Sequence, residues 1–142
     1  MQLKQVTPED AQELAVYNRE LIQEEGHRNP MNLRELTQRM ESFLMDEWEA
    51  VYFIHDGQKV GYALYKFGTD AFDSRIQTVY LRQFLILYPF RKQGLGRKAF
   101  ETLKQEVFKE ARIHVEVLTH NERGVAFWKA MGFKMYSMHL HT

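Results

Sequence analysis

The stretch Gln83-Phe84-Leu85-Ile86-Leu87-Tyr88-Pro89-Phe90-Arg91-Lys92-Gln93-Gly94-Leu95-Gly96-Arg97-Lys98-Ala99-Phe100 decides how the chain is read. Up to Leu87 both parities are apolar, Phe84 and Ile86 on one and Leu85 and Leu87 on the other, which suits a strand buried on both faces. Beyond Gly96, Ala99, Leu103 and Val107 recur every fourth residue, with Leu95 one turn earlier, so the helix that follows has one apolar face. Between the two, Arg91-x-x-Gly94-x-Gly96 puts residues without a Cβ where the helix begins. The first N–H groups of a helix have no partner within it, and the macrodipole adds partial positive charge there. Glycine lets a phosphate approach the backbone, and Arg91, Lys92, Arg97 and Lys98 supply cations around it. The segment reads as strand, anion-binding turn and helix, and the chemistry it suggests is the binding of a pyrophosphate. It is neither the Gly-x-Gly-x-x-Gly dinucleotide fingerprint nor a P-loop, which ends in Gly-Lys-Ser/Thr.

Outward from this centre, Thr78 to Tyr88 forms one long strand, with Arg82 and Gln83 its strongly polar members on opposite faces. The helix runs from Gly94 to near Ala111, Ile113 to Leu118 is the next strand, Asn121 to Met131 a short helix stopped by Gly132, and Phe133 to Leu140 a last strand. Upstream, Leu3 to Val6 is a short strand, and Thr7-Pro8-Glu9-Asp10 opens a helix with Thr7 as N-cap and Pro8 at its first position. That helix ends near Gly26. Asn32-Leu33-Arg34-Glu35 offers a capping box for a second, and Asp56-Gly57 joins Val51–His55 to Lys59–Phe67 as a hairpin. The order β-α-α-β-β-β-α-β-α-β predicts an α/β fold: a mixed, twisted sheet of six to seven strands with helices on both faces.

A chain of 142 residues fits one domain over residues 1–142. Its 19 basic and 19 acidic residues cancel, which argues against a nucleic-acid or membrane surface held by bulk charge. No cysteine is present, hence no disulfide framework, thiol nucleophile or Cys-based metal site, and the six histidines are scattered without a metal-ligand cluster. A cytoplasmic protein with small or local partners is expected.

With these elements in place, the residues resemble the GNAT superfamily of N-acetyltransferases. Two motifs carry the likeness. Arg91-x-x-Gly94-x-Gly96 after an apolar strand looks like that family's pyrophosphate turn. Glu116-Val117-Leu118-Thr119-His120-Asn121, followed by Phe127-Trp128-Lys129-Ala130-Met131-Gly132-Phe133, resembles its strand, Asn and aromatic-x-x-x-Gly-Phe segment. The motif match covers about residues 78 to 135, and the N-terminal half matches in layout. The resemblance implies that acetyl-coenzyme A lays its pantetheine along Phe84, Leu85 and Ile86. Its pyrophosphate then rests on the amides of Lys92, Gln93, Gly94, Leu95, Gly96 and Arg97, and a small-molecule or peptide amine attacks the thioester directly.

The resemblance also proposes individual roles. Glu116, five residues before Asn121, is the first candidate base; the plainer reading is a strand carboxylate in solvent or paired with Arg82. Glu24, Glu25 and His27 in the loop between the first helices are alternative bases or, with Arg82, border the acceptor. Asn121 contacts the cofactor and also N-caps the following helix. Trp128 departs from the family, which often has tyrosine there to protonate the leaving thiolate. An indole N–H donates a hydrogen bond but is no practical acid, so Trp128 either faces the sulfur or is a core aromatic. Tyr88 and Tyr136 are substitute acids by residue type alone. The acidic loop favours a cationic acceptor, and a free edge on the last strand predicts pairing in a homodimer. Two other readings remain open: a non-catalytic acyl-coenzyme A-binding module, and an unrelated nucleotide-binding domain.

Overall fold

The N-terminal helices start where local chemistry asks them to. In the computed structural model, which describes residues 1–142, β1 (Gln2–Gln5) leads to Thr7, whose N–H donates to the Asp10 carboxylate at 2.9 Å, and to α1 (Ala11–Glu25). α1 stops at Gly26, whose left-handed φ of 65° lets its N–H close on Gln23. α2 (Leu33–Met45) begins with a complete capping box: the Glu35 N–H donates to the Asn32 side chain at 2.9 Å, and the Asn32 N–H donates back to the Glu35 carboxylate at 3.0 Å. β2 (Glu49–His55) and β3 (Gln58–Thr69) join through Asp56-Gly57, both at positive φ as a tight hairpin turn requires. Then come β4 (Gln77–Ile86), α3 (Leu95–Leu103), β5 (Arg112–Val115) and α4 (Glu122–Ala130).

The sheet has the order β1-β2-β3-β4-β5, antiparallel except for the parallel β4–β5 pair. Apolar side chains cover both faces, as the continuous hydrophobic runs of β3 and β4 dictate. On one face Val79, Leu81 and Ile86 pack with Leu95, Ala99, Phe100 and Leu103 of α3. On the other Tyr62, Leu64 and Leu85 pack with Leu14 and Leu21 of α1 and Met40 of α2.

Three expectations change. The sheet has five strands, not six to seven, because residues 133–142 form none. Met135, Tyr136, Met138 and Leu140 are all exposed, so the apolar alternation of that tail has no face to bury, although Tyr136 lies against His114. The strand on which an edge-paired dimer was expected is therefore not formed, and β5 keeps a free outer edge. The third change is at Arg82. Leu64 pairs with Gln83 and Tyr65 with Leu81, leaving Arg82 as the extra residue of a β-bulge. The bulge resets the alternation, so Arg82 and Gln83 share the α1–α2 face instead of opposing each other. The Arg82 guanidinium lies 5.0 Å from the Phe43 ring and 5.5 Å from Trp48, while the Tyr62 hydroxyl donates to Gln83 Oε1 at 2.7 Å.

Candidate active site

The ladder between β4 and β5 is short. It pairs Thr78–Leu81 with Arg112–Val115 and ends there, so β4 beyond the bulge has no neighbour on that side. The Leu87 N–H bonds to Val60 O on the β3 side, and alternation turns the outward groups of Ile86 and Phe84 toward the open side. At Ile86 that carbonyl is taken by Arg91 Nε at 2.8 Å. Gly61 makes this part of β4 fit its neighbour, since a Cβ there would lie 2.0 Å from the Leu85 carbonyl oxygen.

The open edge leads to the start of α3. Gly94 is the N-cap, with φ +73° and no side-chain cap, and Lys92 is left-handed too at φ 63°. The Lys98 N–H closes on Gly94 O, leaving those of Leu95, Gly96 and Arg97 directed out of the helix end as a ready anion site. The two glycines serve different needs. Gly94 supplies the left-handed turn with open space around it, whereas a Cβ on Gly96 would press 3.0 Å against the Phe127 ring, so Gly96 lets α3 and α4 approach. Arg91 differs from its basic neighbours. It is nearly buried, with Nη1 2.6 Å from a Glu24 carboxylate oxygen and Nη2 3.2 Å from Glu20, so it ties α1 to the exit of β4. Lys92 and Lys98 are exposed, and Arg97 reaches Glu101 at 3.7 Å.

Glu24 has a second partner across the gap, Arg123 of α4 at 2.8 Å, and His120 Nε2 meets Gly26 O at 3.1 Å. The end of α1 is thus strapped to both banks of the opening. Below it, Phe84 meets the rings of Trp128 and Phe127 at 5.3 and 5.7 Å, and Trp128 meets Phe100 and Phe133 at 5.3 and 5.2 Å. Trp128 is therefore one ring of an aromatic wall on the α3 side. Asn121 N-caps α4, its Oδ1 accepting the Gly124 N–H at 3.1 Å.

On the α1–α2 face, over the part of β4 that pairs with β5, the surface is polar. Tyr80, His114 and Glu116 line an open depression of about 400 Å³ with Lys66 and Thr78. Burial raises the Tyr80 hydroxyl, and the Glu116 carboxylate adds to this, with Arg82 acting the other way and Glu25 in the same sense. Glu116 is exposed and forms no ion pair with Arg82. Glu25, half-buried and without a hydrogen-bond or ion-pair partner, has its carboxyl pushed above the ordinary range by burial. Arg39 of α2 donates from Nη2 to the buried Asn18 at 2.9 Å.

The sequence matches the acetyltransferase (GNAT) family over residues 14–133. The chain belongs to the GNAT family. Solved structures agree with that placement. A ribosomal-protein-alanine N-acetyltransferase from Brucella melitensis biovar Abortus superposes with a TM-score of 0.77 at 14% identity, covering 99% of this chain and 98% of that one. A possible acetyltransferase from Clostridium difficile gives the same TM-score, identity and coverage. An acetyltransferase from Thermus thermophilus has a TM-score of 0.73 at 25% identity, over 94% of this chain and 86% of that one. Among curated proteins, none matches the sequence significantly.

In this GNAT chain the turn Lys92–Arg97, the open edge at Phe84, Asn121 and Trp128 come together along one gap, while Glu116 and, through Trp48, Arg82 lie near Tyr80 on the α1–α2 face. Leu85 points its side chain into the α1–α2 core. His27 stays in its own loop, where its Nδ1 accepts the Asn29 N–H at 3.0 Å, and Glu24 is held by two arginines. Tyr88 and Tyr136 are strongly exposed. Sequence reasoning missed Glu20, Arg39, Tyr80, His120 and Arg123. Glu20 and Arg39 sit in helices whose polar positions look alike in sequence, so no local signal marks the ones that meet the sheet. His120 and Arg123 flank the motif Asn121, and that adjacency was the one available hint.

Proposed function

We propose that this GNAT protein is an N-acetyltransferase that uses acetyl-coenzyme A and acetylates an amine. The observation that carries the reading is that two stretches of backbone facing one gap keep unmet hydrogen-bonding groups, the β4 edge around Phe84 and the N–H groups of Leu95, Gly96 and Arg97 at the start of α3. The residues present fit the coenzyme. The Phe84 backbone suits a pantetheine amide, as strand edges suit extended ligands, and the Leu95, Gly96 and Arg97 amides with Lys92 and Lys98 suit the pyrophosphate. Asn121, whose Oδ1 is occupied by its cap, has its Nδ2 left as a donor. When bound, acetyl-coenzyme A supplies an activated thioester carbonyl for the amine nitrogen to attack.

The chain's own groups do the rest. Backbone N–H on the open edge is fixed in place before reaction, which is what stabilisation of a developing oxyanion requires. Glu25 takes the proton from the amine: it is half-buried, unpaired and raised, and a carboxylate raised toward neutral pH is the better base. Glu116, beside Tyr80 and more exposed, is the second carboxylate able to relay that proton. Trp128 packs the wall and offers an N–H donor. It need not be an acid, because a thiol with a pKa of about 8.5 departs as thiolate. Arg91 contributes by holding the Ile86 carbonyl and α1.

The test is the melting midpoint with acetyl-coenzyme A, with ATP and NAD as controls. At about 100 times its Kd a ligand adds about 2.7 kcal/mol, or about 5 to 10 °C for a domain of this size. A shift with acetyl-coenzyme A alone, followed by thiol release with an amine, supports the transferase. A shift without release across a broad amine panel points to a binding module, and no shift withdraws the coenzyme reading.

A further inference from the structure

The acidic end of α1 keeps one unpaired carboxylate, Glu25, once its pairs form. Glu24 is shared by Arg91 and Arg123, and Glu20 also meets Arg91. Two guanidiniums on the α1–α2 face are also left without a carboxylate. Arg39 and Arg82 both lean on the Phe43 ring, at 5.6 and 5.0 Å, and neither reaches a carboxylate. Arg39 is lowered by burial first and by the nearby Arg82 second. Its Nε is buried and has no hydrogen-bond partner, a costly state for a charged donor. Both heads are nonetheless held in place. Stacking on Phe43 and Trp48 orients Arg82, and the bond to buried Asn18 orients Arg39. Two oriented guanidinium forks beside one ring, with donors to spare and no carboxylate on either, suit an oxyanion.

The rest of the rim supports this. Glu116 lines one depression with Tyr80, and the Trp48 ring meets both Tyr80, at 5.8 Å, and the Arg82 guanidinium, at 5.5 Å, so a carboxylate and a guanidinium flank the same part of the α1–α2 face. That arrangement fits an acceptor that carries both an amine and an anion. We propose that Arg39 and Arg82 form an oxyanion subsite, and that the acceptor is a small primary amine bearing its own carboxylate or phosphate, not a polyamine or other polycation. This rests on the transferase reading. It adds an anion to the cationic acceptor expected from the sequence, because Glu24 is paired in the structure while Arg39 and Arg82 have no carboxylate.

The experiment follows thiol release from acetyl-coenzyme A with matched acceptors: amino acids against their carboxamides, phosphoethanolamine against ethanolamine, and spermidine. Binding of the same compounds is measured by calorimetry with acetyl-coenzyme A present. The expected result is a preference of about tenfold or more in kcat/KM, or in affinity where turnover is slow, for the oxyanion-bearing member of a pair. The better pair identifies carboxylate or phosphate as the source. Arg82→Met, at an exposed position, should abolish the preference while the acetyl-coenzyme A melting shift persists. Arg39→Lys, which keeps the charge but loses the fork, should reduce it. Spermidine as the best acceptor, equal use within each pair, binding by none of these compounds, or a preference that survives Arg82→Met overturns the proposal. If acetyl-coenzyme A itself gives no melting shift, it is the transferase reading that has failed, and the subsite falls with it.

Discussion

At Gly61 a single methyl group would sit 2.0 Å from the Leu85 carbonyl oxygen, and the atom in the way is backbone, which cannot swing aside. Gly61→Ala should therefore cost about 3 kcal/mol in chemical denaturation. It should also disturb the β4 edge on which the coenzyme is proposed to lie. Glu25 supports a prediction with a sign. Its folded carboxyl is raised by burial, so the folded state holds the proton more tightly than the unfolded chain does. The stabilisation is fully present below the ordinary glutamate range and is lost as pH rises through the raised value. Glu25→Gln cannot ionise and keeps it. The variant should melt above the parent at about pH 7, and the two should converge at about pH 4. If Glu25 is the base, the same variant loses about 100-fold in kcat/KM together with the acidic limb of its pH profile. A higher midpoint with unchanged activity would leave Glu25 a buried carboxyl and no more.

At the scale of elements, the β4 bulge, the α3 start and the end of α1 act as one assembly. The bulge brings Arg82 and Gln83 to one face, and the gap beyond it opens because β5 pairs only as far as Val115. Substitutions at the two glycines of the turn separate their roles. Gly94→Ala forces an ordinary residue to φ +73° in open space and should cost about 1 kcal/mol while weakening acetyl-coenzyme A by reshaping the amide cradle. Gly96→Ala instead pushes the Phe127 ring, so near-ultraviolet dichroism of the aromatic wall should change with it. Arg91→Met strips the Ile86 carbonyl and two carboxylates of their common partner. A loss of about 2 to 3 kcal/mol is expected, with faster amide exchange at the end of α1. Unchanged exchange there would show that α1 is held by its apolar face alone.

For the whole molecule, two apolar layers share one sheet, and the strap from Glu24 and Gly26 to Arg123 and His120 links the α1–α2 side to α4 across the gap. No helix is long and apolar enough to cross a membrane. The tail after Phe133 adds little to either layer. Removing residues 138–142, whose Met138 and Leu140 are mostly exposed, should leave the melting midpoint within about 2 °C. A larger fall would mean that the tail covers β5 in solution.

Much of this architecture is local and therefore readable. The capping box at Asn32–Glu35, the hairpin turn at Asp56-Gly57 and the glycine turn before α3 each depend on residues within a few positions of one another, and sequence alone determined them together with the family motifs. Tertiary structure decided what depends on distant partners. A bulge at Arg82 needs the register of β3, and the absence of a strand at 133–140 reflects a missing partner surface, since its apolar alternation is intact. Charge behaves in the same way. Glu24, Glu25, Arg91 and Arg82 look equivalent in sequence, but pairing spends Glu24 and Arg91, burial raises Glu25, and Arg82 is left beside Arg39. Whether a side chain's charge is available to a ligand is set by what folds against it, and those neighbours come from 21 to 99 residues away.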